Sequence, residues 1–201
     1  MIIIGLSPTA HESAVGILVD GRIVAAASEE RFTRVKNQGG FPSQALDFCL
    51  KKAGIEPKDV DHVAYAALPS REERRRDMLN YAQNVRYVAT AEGPVKSRLF
   101  HVANYTRSFV ARKDWLMVNN EELIRGSLRH HGLEEKLVFV DHHLSHCASA
   151  YFTSGFDRAL VVSLDGYGSG NAGSFYVGEG GKLHLLAEIP YPHSLGTFYR
   201  R

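Results

Sequence analysis

A chain of 201 residues with 44% apolar and 23% charged side chains has an ordinary globular composition, which excludes a disordered tail, a coiled coil and a collagen-like repeat. Lys and Arg exceed Asp and Glu by only two, 24 against 22, too mild an excess to make nucleic acid the expected partner. No run approaches the ~20 apolar residues of a membrane span, and MIIIGLS lacks the basic start and length of a signal peptide. The expectation is a cytoplasmic protein with no membrane partner and with Cys49 and Cys147 reduced and buried.

The first forty residues carry a β signal. Apolar runs at Ile2–Leu6, Ala14–Val19 and Ile23–Ala27 read as strands, with Asp20-Gly21 as a type I′ hairpin turn between the last two. Glu29–Lys36 follows, charged but interleaved with Phe32 and Val35, so one side of it should pack. Ser43 starts a helix after Phe41-Pro42; Leu46, Cys49, Leu50 and Ala53 repeat at helical spacing, and Gly54 stops it. Val60–Ala66 reads as a strand. Residues 70–135 are charged and helical in pattern, with breaks at Gly93-Pro94 and Gly132, and their basic run Arg71–Arg76 reads as a solvated helix face. Leu137–Val140 is a short strand before a helix over Leu144–Thr153, with Leu144, Cys147, Ala148 and Tyr151 on one face.

The opening pattern then returns: strand Ala159–Leu164, a Gly-rich loop Asp165–Gly173, strand Ser174–Val177, a Gly180-Gly181 turn and strand Leu183–Ala187. A three-strand meander, then helix and strand elements, then a second meander is how a duplicated actin-like nucleotide-binding fold is built. The expected class is therefore α/β, an actin-like ATPase (ASKHA) fold. Its first subdomain covers residues 1–157, with a helical insertion at about 70–135, and residues 158–201 begin the second.

Five of the ten histidines fall between positions 130 and 146. If Asp141 caps a helix, His142 and His146 stand at i and i+4 on one face, a spacing that lets two imidazoles share one divalent metal. The same pair also reads as surface or hydrogen-bonded histidines. His130, His131 and His143 lack such a partner and read as surface groups or as supports to a site. Asp165 ends a strand at the mouth of DGYGSG, where it can reach a metal while the backbone of Gly166, Gly168 and Ser169 approaches a phosphate; alone, such a run is equally a turn. His11, in the matching loop of the first meander, can carry a proton near neutral pH or simply lie on the surface. Lys36, Arg31 and Arg34 can hold an anionic substrate or belong to a solvated loop.

Together, HESAVGILVDGRIVAAASEERFTRVK with GGFP, DHHLSHCASAYFTSGF and SLDGYGSG resemble, in order, the N-terminal blocks of the NodU/CmcH/TobZ-type O-carbamoyltransferases. The match covers residues 1–68 and 137–199 well and the helical region loosely. The resemblance implies transfer of a carbamoyl group from carbamoyl phosphate, through a carbamoyl-adenylate made with ATP, to a hydroxyl of a small-molecule or sugar acceptor. It implies His142, His146 and Asp165 as metal ligands, with Fe2+ as the metal and a further carboxylate beyond residue 201, and Mg2+ alongside ATP. It also places His11 at the transfer site for proton transfer, with Lys36 holding the carbamoyl-adenylate or its phosphate. Ser169 departs from the pattern, standing where many relatives have an acidic residue. Relatives are much longer and add a YrdC-like domain, so the resemblance implies an N-terminal fragment that is inactive alone; a homodimer is the assembly expectation. The competing readings are a tRNA threonylcarbamoyl transferase-like enzyme and a non-catalytic actin-like nucleotide-binding module.

Overall fold

The computed structural model describes residues 1–8, 12–90, 94–111 and 121–199. His11 and Gly93 lie outside the described residues. The chain divides into two compact units, Met1–Ala67 with Asn120–Val140 and Leu68–Asn119 with Asp141–Arg201.

The first unit is an α/β sheet in the order β3-β2-β1-β4-β5. Strands β1 (Ile2–Ser7), β2 (Ala14–Val19) and β3 (Arg22–Ser28) form the expected antiparallel meander. Strands β4 (His62–Tyr65) and β5 (Leu137–Phe139) then add in parallel to β1. This meander followed by parallel crossovers is the actin-like half that the sequence pattern implies. Asp20 and Gly21 take φ of 49° and 79°, the positive pair a tight I′ turn requires. Alternation sends Ile4, Leu6, Val15 and Ile17 into one core, where Leu46, Cys49 and Leu50 of helix α2 (Ser43–Ala53) meet them. Gly54, at φ 67°, closes α2 by donating to the Leu50 and Lys51 carbonyls.

Charge-rich Glu29–Lys36 does pack on one side. Helix α1 (Glu30–Thr33) sets the Phe32 ring 5.3 Å from Phe48. Glu29, only 5% exposed, turns inward and accepts the backbone N–H of Gln44 (3.2 Å) and Ala45 (2.8 Å). It thus caps α2 from outside, because Pro42 at the cap position has no side-chain acceptor for the first N–H groups. Glu29→Ala is expected to cost about 1–2 kcal/mol of stability, in line with the loss of a helix cap, read as a lower urea midpoint with an unchanged slope. The corresponding Glu29→Gln change should cost less.

The second unit holds a separate meander, β6 (Arg158–Gly168), β7 (Asn171–Glu179) and β8 (Lys182–Pro190), turning at Gly180-Gly181 with φ of 58° and 72°. Helix α6 (His142–Ser154) packs on β6 and β7, burying Cys147 and Tyr151 against Val161 and Tyr176. Both cysteines are free and fully buried, as expected, and desolvation pushes each thiol above its ordinary pKa.

The helical region contains α3 (Ser70–Thr90), α4 (Val95–Ala111) and, in the first unit, α5 (Glu121–His130), and the described helices stop on either side of Gly93-Pro94. Among the described residues no helix is long and apolar enough to cross a membrane. Helix α3 exposes Arg71, Arg74 and Arg75 as the sequence suggests, but its opposite side is not solvated. It buries a polar stripe, Glu73, Asp77, Asn80 and Asn84, at helical spacing.

Candidate metal centre

The Gly-rich stretch expected as a loop over Asp165–Gly173 is mostly strand. Only Ser169 and Gly170 turn, at φ of 52° and 83°, while Leu164 pairs with Gly173 and Gly168 with Asn171. Asp165, Gly166 and Tyr167 therefore face Ala172 alone, a bulge that re-aims side chains out of the regular alternation. Gly173 makes it possible: a Cβ there would meet the Ser163 carbonyl oxygen at 2.5 Å.

The bulge points Asp165 at α6 and Tyr167 at α3. The Tyr167 hydroxyl lies 2.9 Å from both Glu73 Oε1 and Asp77 Oδ2 and donates to one at a time. Burial, then the two carboxylates, push this phenol far above its ordinary pKa, so it stays neutral.

Asp141 caps α6 as expected. Its Oδ1 accepts the N–H of His143 (2.9 Å) and Leu144 (3.1 Å), which leaves His142 and His146 one turn apart. His142 Nε2 is 2.8 Å from Asp165 Oδ2 and 3.0 Å from His146 Nε2, and His146 Nε2 is 3.6 Å from the same oxygen. The three donor atoms lie within 4.8 Å of one another. Ligands at about 2.1 Å from one metal, spread by tetrahedral or octahedral angles, are separated by roughly 3.0–3.4 Å. The observed edges bracket that range, so the donor set fits a single divalent ion. A two-histidine, one-carboxylate triad suits iron(II) with open positions beside it. The side chains are 25%, 55% and 38% exposed for His142, His146 and Asp165, so the triad is open on one side.

Hydrogen bonds from both imidazoles, His142 first, keep the Asp165 carboxyl far below the usual carboxylate range, and Asp165 in turn raises His146.

The supports are equally specific. Gly168 leaves room for the His142 ring, whose Cδ2 would be 2.0 Å from a Cβ built there. Gly166 donates its N–H to Asp165 Oδ1 at 2.6 Å. The Asp165 carbonyl accepts the Ser194 hydroxyl at 2.6 Å, and helix α7 (Leu195–Tyr199) seats Gly196 against the same backbone. Ser169, only 3% exposed, accepts the His142 N–H on Oγ at 3.2 Å and an Arg76 donor on its carbonyl at 3.1 Å.

Lys36 is exposed on a turn of the first unit, and His11 is outside the described residues. His143 is not a surface group. It is fully buried at i, i+4, i+8 with Cys147 and Tyr151, its Nδ1 is 2.9 Å from Ser163 Oγ, and desolvation lowers its pKa. His131 packs as well, stacked on Phe41 at 5.7 Å. Arg76, Ser194 and Gly196 carry no signal at the sequence level, since their roles depend on partners up to 112 positions away.

Residues 2–201 match the family described as the carbamoyltransferase N-terminus. An uncharacterized protein of Synechocystis is 36% identical over 98% of this chain and 30% of its own length. Nodulation protein NolNO of Sinorhizobium fredii is 30% identical over 94% of this chain and 24% of its own. The chain thus spans less than a third of these relatives. Among solved structures, YeaZ from Pseudomonas aeruginosa matches 94% of this chain and 67% of its own at 14% identity, with a TM-score of 0.44.

Proposed function

Because the chain belongs to the carbamoyltransferase family through its N-terminal region, we propose that it forms the metal-bearing part of an enzyme that carbamoylates a hydroxyl group on a small molecule or sugar. The donor is carbamoyl phosphate, activated as a carbamoyl-adenylate at the expense of ATP with Mg2+. The observation that supports the reading is the convergence of two imidazole nitrogens on one oxygen of Asp165.

In the transfer step the acceptor oxygen bonds to the carbamoyl carbon, and the bond from that carbon to the adenylate oxygen breaks. The acceptor proton must leave, and the departing phosphate must be neutralised. His142, His146 and Asp165 would hold Fe2+, which when bound supplies a Lewis acid to polarise the carbonyl or phosphate oxygen. His11 takes the hydroxyl proton, and Lys36 pairs with the phosphate. Gly168 and Ser169 serve first to seat His142, which leaves Asp165 facing the open side. An ATP-consuming enzyme with two buried reduced thiols suits the cytoplasm.

The test is product analysis of the full-length protein with labelled carbamoyl phosphate, ATP and a panel of alcohols. The expected result is label in an acceptor ester, dependent on ATP and on bound metal, with no turnover by residues 1–201 alone. Stoichiometric metal without transfer to any alcohol would favour the tRNA-modifying reading, and the lack of any stoichiometric metal would favour the non-catalytic module.

A further inference from the structure

The Arg71–Arg76 run projects one member inward. Arg76 Nη1 lies 2.9 Å from Asp141 Oδ2, 3.1 Å from the Ser169 carbonyl oxygen and 3.5 Å from Glu188 Oε1. Its stem fills the space that a side chain at Gly170 would need, since a Cβ there would meet Arg76 Cγ and Cδ at 2.9 Å. Glu188 also accepts from Asn171 at 2.7 Å, immediately after the turn. One guanidinium nitrogen therefore joins the cap of α6 to the tip of the β6–β7 hairpin.

Those are the two pieces that carry the triad. Helix α6 supplies His142 and His146 and depends for its first turn on the Asp141 carboxylate, whose other oxygen Arg76 holds. The hairpin supplies Asp165, and its Ser169 returns a hydrogen bond to the His142 N–H. Asn80 adds a second strut from the same helix, its Nδ2 donating to the Gly170 carbonyl at 2.6 Å. We propose that Arg76 is a positioning residue for the metal centre, setting the register between the histidine helix and the Asp165 bulge without itself being a ligand. The inference rests on the reading of His142, His146 and Asp165 as metal ligands.

Nη1 has two hydrogens for three acceptors, and the planar fork of the guanidinium contributes little. A lysine ammonium, a single cationic nitrogen with three donors, should therefore rescue where an isosteric neutral chain cannot. The experiment titrates Co2+ into the metal-free protein and follows the dissociation constant, the visible ligand-field spectrum and the urea midpoint. Wild type should bind one Co2+ and His142→Ala none; if these two do not differ, the ligand assignment itself fails and takes this inference with it.

Given that difference, Arg76→Met is expected to weaken Co2+ binding about 10–100-fold, as loss of supports behind metal ligands does elsewhere, and to alter the spectrum of the bound ion. Arg76→Lys should restore most of the affinity. Asp141→Asn keeps a capping acceptor for His143 and Leu144 but loses the charge that holds Arg76. It should fall between wild type and Arg76→Met and carries the test if the methionine variant does not fold. An Arg76 that serves stability alone would lower the urea midpoint and leave the dissociation constant and spectrum of the folded variants unchanged, and that result overturns the proposal.

Discussion

Gly168→Ala should abolish metal binding at the proposed centre without removing any of its three candidate ligands. A Cβ at this position falls 2.0 Å from Cδ2, 2.4 Å from Cγ and 2.7 Å from Nε2 of His142, well inside contact distance for every atom named. Gly168 is not among the glycines with positive φ, so the backbone accepts alanine and the whole effect is steric. Two responses are open. The strand can back away, which strains the Gly168–Asn171 pairing that closes the bulge, or the imidazole can swing out and abandon Asp165. The second gives up one hydrogen bond, and the first disturbs a hairpin, so the ring should leave. Either response costs about 1–3 kcal/mol of stability, the usual range for overpacking, and the departure of the ring leaves only His146 and Asp165 in place. Metal content of the purified protein should fall from near one per chain to near zero. Gly166→Ala is the control: its nearest neighbour would be Thr197 Oγ1 at 3.9 Å, an ordinary contact, and metal should be retained.

Where a feature is local, it can be read from the residues. The paired positive φ at Asp20-Gly21 and Gly180-Gly181 follows from turn chemistry. The span of α2 follows from apolar spacing and a terminal glycine, and the stacking of His142 and His146 from helix geometry. What escaped reading is long-range or polar. Periodicity counts apolar positions, so it gives no sign of the buried Glu73–Asp77–Asn80–Asn84 stripe, and it leaves His143 as a surface or supporting group rather than part of the buried row with Cys147 and Tyr151. A run of glycines implies a loop unless the partner strand is known. Here Gly173 and Gly168 allow the strands to close around a three-residue bulge, and only that pairing explains why Asp165 and Tyr167 point to different helices. Glu29 belongs to the same class, since its role as the cap of α2 depends on Gln44 and Ala45, 15 and 16 residues on.

His142→Ala, His146→Ala and Asp165→Asn should each lose the stoichiometric metal and, with it, transfer by the full-length enzyme, yet they should differ in every other respect. His142 touches both other ligands and fills the Gly168 hollow, so its loss also leaves a void and should lower the metal-free protein's urea midpoint. His146 is 55% exposed, and its removal should scarcely change that midpoint. Asp165→Asn removes the negative charge that raises His146, so in the metal-free protein the His146 titration, followed by its imidazole proton resonance, should move to lower pH.

The sign for metal binding follows from the same charges. Metal needs His146 neutral, and His146 holds its proton to a higher pH than an ordinary imidazole because Asp165 faces it. Asp165 itself, held far below the usual carboxylate range, stays ionised throughout. Wild-type metal affinity should therefore weaken as pH falls, with proton competition already felt above the ordinary histidine pKa of about 6.5, and should level off once pH rises past the His146 value. A metal affinity flat from pH 6 to 8 would mean that His146 does not ligate, because only a group that must surrender its proton in that window couples binding to pH.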